Sequence, residues 1–301
     1  METTKGFVTV ATGDEKYYRL AENLCLSYRR SGGKYPVALI CDRENEYTAC
    51  FDRVVTVASF RRSTVDKLLM RHSPYGETIF LDADTLILGN IDELWNVFSG
   101  ADDVSAFGCK LPLDSKKGWF TYEGSGKYKP LVKYLISMNG GIYYFRNTPL
   151  ARQVFETAEA VIPEYSTIDF KYFATPQDEP LMAMAMVVNG CAPCDEAYDM
   201  IILPAHSRKV TVDFRGDVYE DGKPSRAKMI HFSTARTNLF LYNYLTETIR
   251  GGEAAATAGN YRRIRHRYAV RELRFYLRHN GGAVLRKLGL DGLVQLLKKH
   301  M

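Results

Sequence analysis

Short apolar runs alternate with amphipathic stretches over the first 110 residues of the chain. Five runs predict strands: GFVTVAT, PVALIC, RVVTVA, ETIFLD and DVSAFGC. Between them, residues 14–30 carry an apolar stripe at helical spacing, and Val65–His72 and residues 91–98 predict two short helices. Strands separated by helices indicate a mostly parallel, Rossmann-like sheet with both faces covered. Ligands of such sheets bind beyond the carboxyl ends of the strands, so we expect the functional residues there.

The alternation stops at residues 110–133, where glycines, lysines and aromatic residues predict a long loop with a functional role. Order returns with a strand at residues 140–147. Later elements are a helix in PLARQVFETAEAVI, a methionine-rich helix in DEPLMAMAMVVN, and strands in DMIILP and AKMIHFS. We expect the methionines of the second helix in the core. The segment GGEAAATAG before the tail predicts a boundary between a main domain, residues 1–250, and a tail, residues 260–301.

The composition is that of an ordinary globular protein, with 46% hydrophobic and 25% charged residues. It excludes a collagen, a disordered tail protein and a disulfide-rich miniprotein. No run approaches the roughly 20 apolar residues of a membrane span, and the start METTKGFVTV lacks the long apolar stretch of a signal peptide. The sequence therefore predicts a cytoplasmic protein. Cys191 and Cys194 form a lone CxxC, which is half a zinc site at most, and we expect idle thiols.

The tail is strongly basic, with eleven Arg or Lys residues against Glu272 and Asp291 in residues 260–301. The rest of the chain is mildly acidic, because the net charge of the whole is only +5. Basic helices with interleaved aromatic residues suit an anionic membrane surface, which predicts a peripheral attachment at the inner face of a membrane. A helix docked on the main domain with a charged outer face is the alternative. No nucleic-acid motif accompanies the charge, so no nucleic acid is expected as a partner.

The strongest motif is FLDADTL, residues 80–86, in which Asp82 and Asp84 follow an apolar strand. Carboxylates at i and i+2 of an extended chain point the same way and can reach one divalent cation. Oxygen ligands suit Mn²⁺ or Mg²⁺, and such a cation neutralises a diphosphate. Two aspartates at a turn or helix cap are the structural alternative.

A phosphatase of the haloacid dehalogenase type is a competing interpretation. These enzymes combine DxDxT after an apolar strand with a later GDxxxD, and residues 216–221 of this chain fit the second motif. Asp82 would then be the nucleophile and Asp84 the acid or base. Against this, at least three strand-like segments precede DADTL, whereas the phosphatase motif usually follows the first strand.

Five motifs in order resemble glycosyltransferase family 8, the glycogenin and lipopolysaccharide galactosyl- and glucosyltransferase group. They span residues 6–236 and read GFVTVATGDEKYY, DADTL, MNGGIYYFRN, DEPLMAMAM and HFS. The resemblance implies a GT-A fold, a UDP-sugar donor, Mn²⁺ (with Mg²⁺ as the second candidate) and a transfer that retains the anomeric configuration.

The resemblance also implies roles for individual residues. The implied metal ligands are Asp82, Asp84 and His231. Asn139 and Asp178 are the implied catalytic residues, placed against the sugars. The implied nucleotide-sugar contacts are Ala11, Thr12, Tyr17, Asp82, Ala83, Asp84 and Gly140.

Three departures from the family pattern concern the donor. Lys67 is the best match for the donor-site lysine but is one residue out of step, so Arg71 and Arg62 are alternatives. HFSTART lacks the family's glycine and lysine, and Arg236 is expected to supply the cation for the diphosphate. Glu179 replaces a glutamine, which leaves the donor sugar open. We expect a hexosyltransferase acting on a glycan or lipid-linked glycan, with acceptor recognition in residues 111–134 and the tail. A membrane-surface module without activity is the non-enzyme alternative.

Overall fold

Six apolar segments form one central sheet in the computed structural model, which describes residues 4–194, 200–203 and 210–276. The strands are β1 Lys5–Ala11, β2 Val37–Cys41, β3 Arg53–Thr56, β4 Glu77–Leu81, β6 Val104–Leu111 and β7 Leu135–Arg146. Their order across the sheet is β3-β2-β1-β4-β7-β6. The sheet belongs to the first of two compact units, which comprises Met1–Leu203 and Arg226–His231.

The sheet is mostly parallel, as the sequence predicted, but one strand runs the other way. β1 pairs in parallel with β2 and β4, and β2 pairs in parallel with β3. β7 is antiparallel to both of its neighbours, β4 and β6. Because residues 112–134 contain no crossover α-helix, the chain leaves β6 and returns beside it in the opposite direction. β7 also starts five residues earlier than the predicted strand and includes Asn139.

Helices cover the sheet of the first unit, although two of the predicted ones are shorter or tighter than expected. The α-helices are α1 Glu15–Arg30, α2 Leu94–Val97, α3 Pro149–Val161 and α4 Asp178–Val188. The segment Thr64–His72 is a 3-10 helix, and only one α-helical turn of residues 91–98 forms. Asp14 and Thr148 cap α1 and α3 by accepting hydrogen bonds from backbone N–H groups of the first turn.

The core prediction for the methionine-rich helix is confirmed. Met182, Met184 and Met186 are fully buried in α4, which packs with α3 against the sheet. Cys191 follows α4 and donates its N–H to the Met186 carbonyl, and Cys194 donates its N–H to the Ala106 carbonyl. Both are free thiols, as predicted, and burial raises the pKa of Cys191 to about 11. The CxxC therefore joins the end of α4 to β6.

A three-stranded sheet in the first unit brings a late segment back beside the central sheet. Its strands are β5 Thr85–Ile87, β8 Ile201–Ile202 and β12 Met229–His231, in the order β5-β12-β8. β12 is antiparallel to β5, in a register that sets His231 opposite Thr85. The return of β12 makes the first unit discontinuous in sequence.

The second unit comprises Pro204–Ser225 and Phe232–Met301. Its described elements are β9 Val210–Val212, β10 Val218–Glu220, β11 Lys223–Pro224, α5 Phe240–Gly251 and α6 Ala258–Tyr276. α6 packs on α5 through the buried Ile264 and through Tyr261, whose ring lies edge-on to Phe240 and Tyr244. The expected boundary at residues 251–259 lies within this unit, and the division into domains 1–250 and 260–301 stays a prediction.

The first part of the predicted basic tail is helical, since α6 spans residues 258–276. The second part, residues 277–301, lies outside the described residues. Within the described ranges, no helix has both the length and the apolar character that a membrane crossing requires.

Candidate metal and donor site

The DADTL motif forms the link between β4 and β5. β4 ends at Leu81, and Asp82 continues the pairing with β7 by donating its N–H to the Gly141 carbonyl at 2.9 Å. Thr85 closes a turn by donating its N–H to the Asp82 carbonyl at 3.0 Å. Both carboxylates therefore lie at the carboxyl end of a central strand, where the topology places ligands.

His231 reaches these carboxylates because β12 pairs with β5 directly after the motif. Its Nε2 lies 3.3 Å from Asp82 Oδ2 and 3.2 Å from Asp84 Oδ1. The ligand atoms of Asp82, Asp84 and His231 all lie within 4.8 Å of one another. The three residues that the sequence nominated as metal ligands thus converge.

Asn139 and Gly141 of β7 orient the imidazole. Asn139 Oδ1 lies 3.1 Å from His231 Nδ1 and also accepts the Gly141 N–H at 2.9 Å. With Nδ1 bonded to the amide oxygen, Nε2 faces the carboxylates. Only a glycine fits at position 141, because a Cβ atom there would lie 2.4 Å from His231 Nδ1. Sequence reasoning nominated Gly140 of this pair and missed Gly141.

Lys67 connects the aspartates of the motif to Asp178. Its Nζ lies 2.7 Å from Asp82 Oδ2 and 3.3 Å from Asp178 Oδ2, at the first residue of α4. Tyr143 also reaches Asp178, donating its hydroxyl at 3.3 Å. Of the three candidates for the donor-site cation, Lys67 is the one that contacts the motif. Arg71 pairs with Glu159 instead, and the Arg62 side chain lies over the ring of Phe60.

Gly140 lets β7 approach α4 closely. Its N–H donates to Glu179 Oε1 at 2.7 Å, and a Cβ atom there would lie 2.7 Å from Asp178 Oδ2. Glu179, which stands where the resemblance implies a glutamine, is therefore engaged with the backbone of β7. Tyr143, like Gly141, was missed, because its part depends on the pairing of β7 with β4.

Burial and opposite charges shift the ionisation of this group strongly. Burial alone would raise the pKa of Asp82, but the ammonium of Lys67 and the imidazole of His231 outweigh it and hold that pKa well below its usual range. Burial and the neighbouring Asp82 raise the pKa of Asp84. Burial alone would lower the pKa of His231, but hydrogen bonds to both aspartates raise it to about 10.

Asp178 differs from the other carboxylates. Burial raises its pKa to about 7 in spite of the opposing effect of Lys67, with Glu179 and Asp82 adding to the rise. Asp178 therefore changes its charge near neutral pH, whereas Asp82 stays ionised.

The donor set fits a divalent cation. Without a metal, a proton on His231 supplies the positive charge beside the two carboxylates. A metal ion would take over that role on the same three side chains, and two carboxylates with one imidazole suit Mn²⁺. The residues present are therefore compatible with the predicted cofactor.

The predicted nucleotide loop lies at the carboxyl end of β1, the parallel neighbour of β4. Ala11 ends β1, Thr12 is buried, and Tyr17 lies in the first turn of α1 with the Lys16 ammonium over its ring. Thr12 donates its hydroxyl to Asp66 Oδ2 at 2.8 Å, one residue before Lys67. The buried Asp66, which sequence reasoning missed, links this loop to the segment that carries Lys67.

The remaining motifs lie in the second unit. Arg236 donates to the Ser233 hydroxyl at 2.8 Å, and its guanidinium lies 5.4 Å from the ring of Phe275. Its expected contact with the diphosphate stays a prediction. The phosphatase-like GDxxxD has a local structural role, since Asp221 and Gly222 form the turn between β10 and β11 with φ of 52° and 80°. This is the backbone that a tight hairpin requires.

No protein-family model matches the sequence, and no curated protein matches it. Several solved structures are similar in fold. An active-site mutant of LgtC is 12% identical with a TM-score of 0.50, covering 75% of this chain and 86% of its own. The galactosyltransferase LgtC in complex with donor and acceptor sugar analogs is 13% identical with a TM-score of 0.49, covering 76% and 88%.

The bifunctional glycosyltransferase WbbM is 16% identical with a TM-score of 0.48. The match covers 77% of this chain, which spans less than half, 46%, of the WbbM chain. At these sequence identities the similarity concerns the fold alone, and the structure of the LgtC mutant is the one on which the comparison of folds rests. The predicted GT-A architecture is thereby confirmed: this chain has the α/β fold of the GT-A glycosyltransferase LgtC.

Proposed function

We propose that this protein is a glycosyltransferase that moves a hexose from a UDP-sugar to an acceptor hydroxyl with the help of a divalent cation, Mn²⁺ before Mg²⁺. The observation that carries the proposal is the convergence of Asp82, Asp84 and His231 at the carboxyl end of β4. A GT-A fold with this donor set suits a nucleotide diphosphate, whose charge must be neutralised as it leaves.

Each side chain has a role that its contacts support. Asp82, Asp84 and His231 would hold the cation, which stabilises the departing UDP when bound. Asn139 positions His231 through Nδ1. Lys67 balances the charges of Asp82 and Asp178, and its ammonium lies within reach of a phosphate bound at the motif. Arg236 is proposed as a second cation for the diphosphate.

The donor extends from β1 towards β7 in this proposal. Ala11, Thr12 and Tyr17 line the uracil and ribose, Ala83 lies between the two aspartates against the ribose, and Gly140 leaves room for the sugar. Asp178 binds the sugar hydroxyls as an acceptor when it is ionised. The acceptor hydroxyl attacks the anomeric carbon from the face of the leaving UDP, and a donor phosphate oxygen takes its proton. The anomeric configuration is retained.

The acceptor is proposed to be a glycan or lipid-linked glycan, as in the synthesis of a surface glycan. α6 supports a site at a membrane surface, because Val270 and Leu273 are about 60% exposed between exposed arginines. A helix with apolar and cationic side chains on its outer face suits an anionic lipid surface. We therefore propose that residues 260–301 attach the protein to the cytoplasmic face of a membrane.

The test is the release of UDP from UDP-glucose and UDP-galactose with and without Mn²⁺. Wild type should release UDP in the presence of Mn²⁺, and Asp84→Asn should lower the rate at least ~100-fold because it weakens the metal site. Glu156→Gln, which neutralises an exposed carboxylate on α3, is the matched control and should keep the wild-type rate. Full activity of Asp84→Asn, or no release and no UDP binding by wild type in calorimetry, would contradict the proposal.

A further inference from the structure

Three aromatic side chains form a partly exposed cluster in the first unit, here named the aromatic platform. It consists of Trp119, Tyr172 and Phe173. The Trp119 ring stacks on Phe173 at 6.0 Å and meets Tyr172 edge-on at 5.5 Å. Tyr172 is 67% exposed and Phe173 is 39% exposed. Large aromatic residues grouped at a surface mark a binding site more often than isolated ones do.

The backbone fixes the direction of these rings. Residues 119–121 pair antiparallel with residues 169–171, with Phe120 opposite Phe170 and the Lys171 N–H donating to the Trp119 carbonyl at 2.9 Å. Because side chains alternate along extended chain, the fully buried Phe120 anchors one face and Trp119 lies on the other. Tyr172 then adopts a left-handed backbone, with φ of 72°. Such strain in a bulky residue persists where the surroundings impose it, and it is frequent at binding sites.

Two links connect the platform to the candidate site, a hydrogen bond from Trp119 and the short stretch of chain between Phe173 and Asp178. Trp119 donates its indole N–H to the Met138 carbonyl at 3.2 Å, one residue before Asn139. Phe173 precedes Asp178 by five residues, so their Cα atoms lie at most about 18 Å apart. The platform is therefore adjacent to the residues proposed to contact the donor sugar.

The order of the strands indicates which end of the donor the platform faces. Along the edge of the sheet, β1 carries the predicted nucleotide loop, β4 the aspartates and β7 Asn139 with Gly140, and β6 comes last. Trp119 lies in the connection between β6 and β7, on the side of the aspartates away from the nucleotide loop. A ligand there would approach the donor from its sugar end.

We propose that the aromatic platform binds a pyranose ring of the acceptor glycan; this inference rests on the proposed function and names the acceptor site. The apolar C–H face of a pyranose stacks on an aromatic ring, while its hydroxyls need polar groups at the edge. The platform offers both, because Asp169, Thr121 and Lys171 flank the rings on the paired segments. Tyr and Trp supply large, rigid contact faces at a low cost in conformational entropy.

The first experiment follows Trp119 directly. The chain has 2 tryptophans, and the other, Trp95, is 4% exposed among aromatic rings, so Trp95→Phe leaves Trp119 as the only indole. The probes are the methyl pyranosides of glucose, galactose, mannose and N-acetylglucosamine, titrated at millimolar concentration in the presence of UDP and Mn²⁺. A saturable change of Trp119 fluorescence with at least one probe is expected, and no change with any of them would overturn the inference.

The second experiment measures the contribution of the platform in the wild-type background by saturation-transfer NMR with the same probes. Tyr172→Ser and Phe173→Ser should each weaken the affinity about three- to tenfold, the range of one ring–ring contact. Phe214→Ser is the matched control, because Phe214 is an exposed aromatic residue of the second unit at 41% exposure. Equal affinities for wild type and both platform variants would overturn the inference.

Two further results separate the possible failures. Mn²⁺-dependent UDP release by wild type without any acceptor tests the proposed function alone. If UDP is released but the platform variants bind the pyranosides as tightly as wild type does, the inference about the acceptor site is wrong and the proposed function stands. If the platform variants instead lose binding to phosphatidylglycerol vesicles and no pyranoside binds, the platform contacts lipid, which also overturns the inference.

Discussion

At the scale of single residues, the close approach of neighbouring side chains, rather than charge, explains why two positions in the site are glycines. Gly140 and Gly141 both have ordinary negative φ values, so neither is needed for its backbone conformation. Their hydrogen atoms face Asp178 and His231, at distances that leave no space for a methyl group. The pair lets β7 pass close to Asp178 and His231.

Gly141→Ala should therefore damage metal binding more than folding. The new methyl group would push the His231 ring away from Asn139 and the carboxylates, and we expect Mn²⁺ affinity to fall about 10–100-fold, as for a lost orienting contact. Isothermal titration with Mn²⁺ measures the effect. The control is Gly100→Ala, where an added Cβ meets nothing within 4 Å. Wild-type Mn²⁺ affinity in Gly141→Ala would contradict the close contact.

Lys67→Met should make stability depend more steeply on pH than in wild type, in protein stripped of metal with EDTA. Asp82 and Asp178 would lose their shared cation, so the pKa of each carboxyl in the folded protein would rise. When the pKa of a carboxyl is higher in the folded protein than in the unfolded chain, the folded protein loses stability as the pH increases from the unfolded pKa to the folded one. We expect a loss of about 3 kcal/mol in urea unfolding at pH 8 and a smaller loss at pH 5.

The control for this substitution is Arg61→Met, which removes an exposed cation that pairs with Glu159 away from the motif. Its effect should be small and equal at both pH values. A pH-independent loss in Lys67→Met would show that the ammonium does not balance the two carboxylates.

The sequence nominated the charged residues of the candidate site, four of them from short motifs and Lys67 as an inexact match to the expected spacing. Asp82, Asp84, Lys67, Asp178 and His231 all come together in the first unit. The contacts made by Asn139 and Tyr143 could not be predicted in this way. They depend on the register of β7 against β4 and on the return of β12, which no local pattern encodes.

At the scale of secondary-structure elements, Asp66 joins three segments of chain. Besides the Thr12 hydroxyl, its carboxylate accepts the N–H groups of Arg61 and Arg62 at 2.6 and 2.8 Å. It thereby connects the end of β1 to the 3-10 helix that carries Lys67.

Asp66→Ala should cost about 2–4 kcal/mol of unfolding free energy, since three donors lose their acceptor in a buried place. Urea unfolding followed by circular dichroism gives the value. Asp14→Ala is the matched control, because the exposed Asp14 carboxylate accepts the Lys16 N–H as a helix cap and its loss should cost about 1 kcal/mol. Equal losses in the two variants would contradict the linking role of Asp66.

Most elements followed from the periodicity of apolar residues, and the exceptions have physical reasons. The strands β1, β2 and β4 are short, apolar and largely buried runs of the kind that a parallel sheet requires, and β3 is a half-exposed edge strand. The direction of β7 depends on its connection, which the pattern of a single strand does not reveal. Thr64–His72 is a 3-10 helix whose N-cap residue, Ser63, makes no side-chain capping bond, and the spacing of its apolar residues does not distinguish 3-10 from α geometry.

At the scale of the whole molecule, charge is unevenly distributed: residues 260–301 are strongly basic and the rest of the chain is mildly acidic. In α6 several arginines pair with Glu247 or Glu272, whereas Arg271 and Arg274 are exposed beside Val270 and Leu273. These four side chains form the outer face on which the membrane proposal depends. Five of the eleven basic residues of the tail fall in 277–301, outside the described residues.

Arg271→Gln combined with Arg274→Gln should weaken binding to phosphatidylglycerol vesicles about tenfold or more, because each cation contributes on the order of 1 kcal/mol at an anionic surface. Vesicle sedimentation at low and high salt measures it. Lys16→Gln combined with Lys34→Gln removes the same charge from exposed positions of the first unit and is the control. A loss of equal size in the control would mean that net charge alone governs binding.

The architecture as a whole could be predicted because alternation of strands and helices leaves few topologies. The resemblance then narrowed the choice to the GT-A fold, which the likeness to LgtC confirms. The identities of the donor sugar and of the acceptor did not follow, since they depend on side chains whose arrangement is specific to this chain. The aromatic platform is such an arrangement, assembled from segments about 50 residues apart.

The return of β12 into the first unit has a consequence for the order of folding. A ribosome delivers Asp82 and Asp84 early, but the chain must pass through residues 204–225 of the other unit before His231 emerges. Until β12 pairs with β5, the two aspartates lack their imidazole, whatever the state of the central sheet. Contacts between such distant positions form slowly because a long loop must close first. The candidate metal ligands are therefore among the last parts of this unit to assemble, and a nascent chain has no complete set of them until residue 231 has emerged.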